Sequence, residues 1–236
     1  MNIAIIGYGK MGKVIEKIAV ERGHQVTVKI TSQEADFAPE VLKKADVAIE
    51  FSVPKAAVSN IQKCFAAGIP VVVGTTGWMD QLDAVTQQCN AVNGGLFYAS
   101  NFSIGVNIFF KVNQLLAKLM DGQPSYEVRM EEIHHTQKLD SPSGTALTIA
   151  HQIIENVSRK TGWIESENPS NAEIGIEAKR IADTPGTHIV TYENQIDTLQ
   201  ISHEAKGREG FAMGSILAAE FMLGKSGIYG MEDLLG

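Results

Sequence analysis

Cysteine is scarce: Cys64 and Cys89 are the only two in 236 residues. They lie on separate segments with no CxxC or metal-type spacing, which excludes a disulfide framework and points to reduced thiols in a cytoplasmic setting. Positive charge is in deficit as well. A net charge of -7 and a pI near 5.4 argue against a nucleic-acid partner, which ordinarily meets a basic face. No uninterrupted apolar run approaches the length needed to span a bilayer, so no membrane association is expected. The opening "MNIAIIGYGKMG" goes straight into a strand and a glycine turn, without the basic start, apolar stretch and cleavage site of a signal peptide. Repeats and low-complexity tracts are also lacking. What is present is ordinary for a globular chain with a real core: 44% hydrophobic and 20% charged residues, with room for one large or two small domains.

Hydrophobic periodicity divides the chain. "NIAII" (2–6) is a short apolar run ending at glycine, a buried strand. Residues 10–22 place Met11, Val14, Ile15, Ile18 and Ala19 on one helical stripe. The alternation continues with strands at 24–31, 46–51, 69–76 and 95–100, and helices at "PEVLKKA", 55–68 and "DQLDAVTQQC". Strand–helix alternation over about a hundred residues implies an α/β fold, a Rossmann-type doubly wound parallel sheet.

After Asn101 the rhythm changes. A longer helix (106–120), a strand (126–135) and a helix (144–158) precede a polar loop at 160–173. Three strand-like stretches then follow without helices between them: "IGIEAKRI", "THIVTYEN" and "TLQISHEAK". This is an α+β pattern with a mixed or antiparallel sheet. The apolar tail 211–224 reads as a helix returning to the first half. The expected plan is a dinucleotide domain of residues 1–103 completed by 210–236, with residues 104–209 inserted as a substrate-binding and oligomerisation domain.

Gly7, Gly9 and Gly12 form G-x-G-x-x-G between the first strand and the first helix. In that setting the first glycine permits the tight turn, the second admits a pyrophosphate to the backbone, and the third lets helix pack on strand. The acid usually found near the end of the second strand is missing; Ile30, Thr31 and Ser32 stand there, and Glu34 and Asp36 come later. Two hydroxyls, with Lys10 and Lys29 in reach, suit the 2′-phosphate of NADPH, the preferred cofactor, with NADH as the alternative. Thr31, Ser32 and the lysines read equally as solvated surface.

The second cluster is "EEIHHTQKLDSPSGTA" (131–146). Imidazoles move protons near neutral pH. An ammonium holds an anion, and Gly-Thr amides opening a helix hold another. On an extended segment His134 and His135 point to opposite faces, so only one can meet a ligand unless the chain turns there. Arg208 is a further candidate for a carboxylate. His24, His151, His188 and His203 read by default as structural residues. With no H-x-x-H or H-E-x-x-H spacing and no cysteine partner, no metal is expected.

On these motifs the chain resembles the 4-hydroxy-tetrahydrodipicolinate reductase (dihydrodipicolinate reductase) family of the diaminopimelate and lysine pathway. The resemblance runs through "GYGKMG", "FSVP" (51–54), "GTTG" (74–77), "SNFSIGVN" (100–107), "EIHHTQKLDSPSGTA" (132–146) and "ISHEAKGREGFAMG" (201–214). It implies a cytoplasmic homotetramer acting on a small dicarboxylate. In that reading Gly7, Tyr8, Gly9, Lys10, Met11, Gly12, Thr31, Ser32 and Phe51 bind the dinucleotide. Gly74, Thr75, Thr76, Tyr98, Ala99, Ser100, Asn101 and Phe102 line it towards the nicotinamide. His134 is the proton donor or acceptor and Lys138 the second proton donor, while His135, Gly144 and Thr145 bind substrate. Three departures stand out: the missing acid, Ala182 and Thr187 where glycine and glutamate are expected, and Met213 in place of asparagine. Two competing readings are a different two-domain Rossmann dehydrogenase and a redox sensor that binds dinucleotide without turnover. A sensor needs neither the acid nor the anion turn.

Overall fold

The computed structural model describes residues 1–34 and 36–236. Strand and helix alternate through β1 (Asn2–Ile6), α1 (Lys10–Glu21), β2 (Gln25–Ile30), β3 (Val47–Glu50), α2 (Pro54–Ala67), β4 (Val71–Val73), α3 (Leu82–Ala91) and β5 (Gly95–Tyr98). Next come α4 (Ile104–Asp121), β6 (Glu127–His134), α5 (Gly144–Asn156), β7 (Gly162–Ile164), β8 (Glu173–Arg180), β9 (Thr187–Glu193) and β10 (Thr198–Glu204). The chain closes with α6 (Glu209–Met222), β11 (Gly227–Tyr229) and α7 (Met231–Leu235). Two compact units result: Met1–Ile104 with Arg208–Gly236, and Gly105–Gly207. Among the described residues no helix is long and apolar enough to cross a membrane.

The first unit holds a six-stranded sheet in the order β11-β5-β4-β3-β1-β2, parallel at every pairing. Strand side chains alternate between faces, and both faces are buried. Ala4 and Ile6 of β1 join Val71 and Val73 of β4 against Ala57, Ile61 and Cys64 of α2 and Val85 of α3. Ile3, Ile5, Val47, Ile49 and Val72 face the other way, onto Ile15 and Ile18 of α1 and Ile216 and Ala219 of α6. Each fully buried branched side chain contributes roughly 1.5–3 kcal/mol, which is why these strands read as unbroken apolar runs. Helix α6 is held to α1 and its following turn by Glu220, whose carboxylate accepts from Arg22 at 3.0 and 2.9 Å and lies 2.7 Å from His24.

The second unit has a five-stranded mixed sheet, β10-β9-β6-β8-β7. β6 pairs antiparallel with β9 and parallel with β8. One face packs Val128, Met130, Ile174, Ile176, Val190 and Tyr192 against Phe109 and Ala117 of α4 and Ile149 and Ile153 of α5.

Four local features differ from the sequence expectation. "PEVLKK" is a 3-10 helix rather than an α-helix. The loop at 160–173 contains β7, a three-residue edge strand pairing with β8. Its neighbour Lys160 is buried, its ammonium donating to Glu127 at 2.8 Å and to the carbonyls of Asn171 and Glu173 at 2.9 and 3.1 Å. β11 and α7 were not expected, because a three-residue strand beginning at a glycine and a five-residue helix are too short to show a period.

Candidate active site

In the first unit the dinucleotide residues gather where the order of parallel strands reverses, at the carboxyl ends of β1 and β3. Gly7 has φ +95°, and a Cβ there would lie 2.1 Å from the carbonyl oxygen of Phe51. The amides of Gly7 and Tyr8 both donate to the Ile30 carbonyl, at 3.0 and 2.8 Å. Gly12 is close-packed too, since a Cβ would meet the Gly7 carbonyl oxygen at 2.7 Å. Among the described residues nothing comes within 4 Å of a Cβ placed on Gly9. Gly9 caps α1 with no side-chain hydrogen bond, and the first turn holds no acid. Free amides at an uncapped helix start, reached through an open glycine, suit an anionic pyrophosphate.

A cleft of about 480 Å³ opens there, lined by Gly7, Tyr8, Gly9, Thr31, Ser32 and Phe51 among others. A second recess of about 230 Å³ is lined by Met11, Phe51, Gly74, Thr75 and Thr76, with Ser52 and Pro54. The Phe51 ring lies on the backbone of Gly74, where a Cβ would come within 2.1 Å of it. Thr75 is buried and its hydroxyl accepts from the Ser52 amide at 2.8 Å. Glu50 is wholly buried and accepts from Asn60 at 3.0 Å and from the Ser52 hydroxyl, two residues that line the larger cleft. Burial pushes its carboxyl above the usual carboxylate range.

At the end of β5, Tyr98 lies edge-on to Trp78, and the Ala99 amide donates to the Val73 carbonyl at 3.3 Å. Ser100 is exposed, and the Asn101 side chain accepts from the Ser103 amide at 2.9 Å. Phe102 is buried between Phe51 and Phe97, with ring centres 5.7 and 5.8 Å away. These residues therefore cluster at the ends of neighbouring parallel strands. Thr31 lines the cleft, but Lys29 does not stand free beside it: its ammonium is 2.5 Å from Glu16 and over the Tyr8 ring. Glu34 accepts from both the amide and the hydroxyl of Thr31, at 3.1 and 3.0 Å. Lys10 is exposed at the start of α1.

In the second unit β6 ends at His134, and the Lys138 amide donates to the His135 carbonyl at 3.1 Å, closing a turn. The chain thus bends where the two histidines meet. His134 is buried and His135 half-buried. The Lys138 ammonium is held 2.8 Å from both oxygens of Asp140, which keeps that carboxyl below its usual range. Ser143 caps α5, its hydroxyl accepting from the Ala146 amide at 3.2 Å. Gly144 and Thr145 open the helix, with free space about Gly144 and no acid in the first turn. Arg208 caps α6 and belongs to the first unit.

Three further residues complete this cluster. Glu132 shares the face of His134, two positions along the strand. Sheet register sets His188 opposite Glu132 and Arg180 beside His134. The Glu132 carboxylate accepts from the Ser143 amide at 3.0 and 3.1 Å and from Arg180 at 3.1 Å. It lies 3.4 Å from Nδ1 of His134 and 3.7 Å from Nε2 of His188. Burial lowers the pKa of His134, partly offset by the charge of Glu132. Burial, with the neighbouring His134, His203 and Lys138, holds His188 down at about 3, so it is neutral. Glu132, His134 and His188 offer ligand atoms within 4.8 Å of one another, a grouping no linear spacing reveals. The carboxylate is already occupied by Ser143 and Arg180, whose positive charge opposes a metal ion there.

Comparison with known proteins follows the same division. Residues 1–102 match the family described as dihydrodipicolinate reductase, N-terminus, and residues 105–235 its C-terminus. The whole chain is 50% identical to the 4-hydroxy-tetrahydrodipicolinate reductase of Christiangramia forsetii, covering 98% of that protein. It is 31% identical to the enzyme of the same name from Neisseria meningitidis serogroup B, again over the whole chain and 97% of the relative. The fold matches a dipicolinate-bound dihydrodipicolinate reductase from Paenisporosarcina sp. TG-14 with a TM-score of 0.80 at 22% identity, over 99% of this chain and 98% of that one. An amine dehydrogenase from Mycobacterium smegmatis shares the fold more loosely, with a TM-score of 0.60 at 10% identity, over 97% and 94% of the two chains. The chain belongs to the dihydrodipicolinate reductase family, NAD(P)H-dependent oxidoreductases of the lysine and diaminopimelate pathway.

Proposed function

We propose that this reductase works with His134 as the proton donor, Lys138 as second proton donor and local positive charge, and His135, Gly144 and Thr145 as the holders of a small dicarboxylate, 4-hydroxy-tetrahydrodipicolinate. The carrying observation is that the buried imidazole of His134 and the start of α5 meet on one carboxylate, Glu132. When bound, the nicotinamide would supply a hydride to the conjugated imine that remains once the 4-hydroxyl of the substrate has left as water, giving tetrahydrodipicolinate. Gly7, Gly9 and Gly12 with the α1 amides hold its pyrophosphate, and Tyr8, Lys10, Met11, Phe51, residues 74–76 and residues 98–102 orient the rest. Hydride arrival leaves negative charge on the substrate, which His134 quenches with a proton and Lys138 compensates electrostatically. The amides of Gly144 and Thr145, aided by the helix dipole, fix a substrate carboxylate. The relative from Paenisporosarcina binds dipicolinate, a planar dicarboxylate of the kind this site would accept.

By residue type, Thr31, Ser32 and the nearby lysines favour NADPH. The charges around Thr31 favour NADH: Lys29 is engaged by Glu16, and the Glu34 carboxylate at Thr31 would accept from ribose hydroxyls and repel a 2′-phosphate. We infer that NADH serves at least as well as NADPH. The homotetramer belongs to the same reading. Ile108, Val112, Leu115 and Leu119 form an exposed apolar stripe on α4, of the kind that marks protein contacts.

The test is a turnover assay in which the preceding synthase supplies substrate and each reduced cofactor is tried in turn. Oxidation of either cofactor, inhibited by dipicolinate in competition with substrate, is the expected result. Absence of turnover with both overturns the assignment.

A further inference from the structure

We propose that Glu132 is the positioning residue of the second-unit cluster: its one buried carboxylate is both the counter-ion of a protonated His134 and the anchor that holds the start of α5. The inference rests on the reading of His134 as proton donor and extends it to a residue outside the His-His-x-x-Lys and Ser-Gly-Thr motifs.

The division of labour between the two oxygens carries the argument. Glu132 is wholly buried, and an ionised carboxylate survives there only with compensating partners. Oε1 receives Arg180 at 3.1 Å, and that guanidinium also donates to the Asp140 carbonyl at 2.5 Å. Arg180 is a permanent charge, so Glu132 keeps a cationic partner while His134 is neutral. Oε2 faces Nδ1 of His134 at 3.4 Å. That nitrogen is buried and has no other partner among the described residues, so the carboxylate favours the tautomer with hydrogen on Nδ1 and stabilises the cation formed when Nε2 takes up a proton. The other nitrogen, Nε2, lies beside Gly186, where a Cβ would approach to 3.1 Å. A carboxylate behind Nδ1 and a working Nε2 is how an acid–base imidazole is oriented and its cation stabilised.

His188 does not take this proton. It lies 5.2 Å from His134, ring to ring, and its Nε2 is 3.2 Å from the Ser143 hydroxyl. The groups facing His134 are then Glu132 on its own strand, Lys138 and Asp140 in the following loop, Arg180 on β8 and His188 on β9, with His203 on β10 next to His188. The anchor half of the role is the pair of bonds from the Ser143 amide to Glu132 at 3.0 and 3.1 Å, which set the residue just before Gly144 and Thr145.

The experiment is an NMR titration of the His134 imidazole in the full-length protein, with pH profiles of kcat, for Glu132→Gln and Arg180→Gln. Removing the anion should lower the His134 pKa by about one unit or more, and removing the cation should raise it. The alkaline limb of kcat should move with each. Opposite shifts from two neighbouring substitutions are not what general loosening produces. Glu132→Gln keeps an acceptor for the Ser143 amide, so substrate KM should change little, while Glu132→Ala should raise it about tenfold. An unmoved His134 pKa, shifts of the same sign, or an unchanged KM in Glu132→Ala overturns the proposal. Should Glu132→Gln fail to fold, the upward shift in Arg180→Gln decides alone. If His134 proves not to be the acid, the opposed NMR shifts persist while the kcat profiles stop following them, which separates the two failures.

Discussion

The carbonyl oxygen of Phe51 occupies the place where a side chain on Gly7 would begin, 2.1 Å from its projected Cβ. The turn after β1 and the end of β3 therefore meet backbone to backbone, with Gly7 at φ +95°. Gly7→Ala combines a clash with a disfavoured dihedral and should cost more than about 1 kcal/mol of stability. Gly9 has open space, so Gly9→Ala should stay within about 0.5 kcal/mol of wild type yet weaken dinucleotide binding at least about tenfold by crowding the phosphates. Thermal melts and fluorescence titration check both. Equal melting points for the two variants would contradict this division of roles.

Ser143 closes the first turn of α5 through the Ala146 amide. Ser143→Ala should lose about 1 kcal/mol, a fall of about 2–4 °C in Tm, and Ser143→Thr should recover part of it. A melting point identical to wild type would show that the cap contributes nothing.

Acid should destabilise the second unit through its histidines. His188 titrates at about 3 when folded against an ordinary value of 6.5, so between those pH values the unfolded chain binds the extra proton. Its contribution to stability is complete above about pH 6.5 and is lost as pH falls towards 3, at up to about 1.4 kcal/mol per pH unit. His134 and His203, also lowered by burial, act in the same direction. Denaturant unfolding across that range should show the slope, and His188→Asn should flatten it. A slope unchanged in that variant would remove His188 from the account.

Glu34 bears on the choice of cofactor. Its carboxylate sits on Thr31 at the end of β2. Glu34→Gln should shift the ratio of kcat/KM from NADH towards NADPH by about tenfold, since one unit charge beside a 2′-phosphate is worth about 1.4 kcal/mol at close range. A ratio unaltered by the substitution would place the 2′ group elsewhere.

Much of this was legible in the sequence where the signal is contiguous. The parallel sheet announces itself because β1, β3 and β4 are buried on both faces, and the glycine turn and the His134–Thr145 block are each continuous. The short β7 and β11 carry too few residues to display alternation. Glu132 could have been read as sharing His134's face by strand periodicity alone. Arg180 and His188 could not, because their approach depends on the register of β6 with β8 and β9, which is fixed by packing across the sheet. For the same reason His188 reads in isolation as a structural histidine although it lines the cluster.

The most direct test of the central claim is His134→Gln assayed beside wild type with the synthase-supplied substrate. Cofactor affinity should be unchanged, because the substitution leaves the pyrophosphate-holding turn of Gly7, Gly9 and Gly12 intact. Turnover should fall by about 10²–10⁴, the usual worth of a positioned acid. Full turnover in that variant would contradict the assignment of the proton to His134.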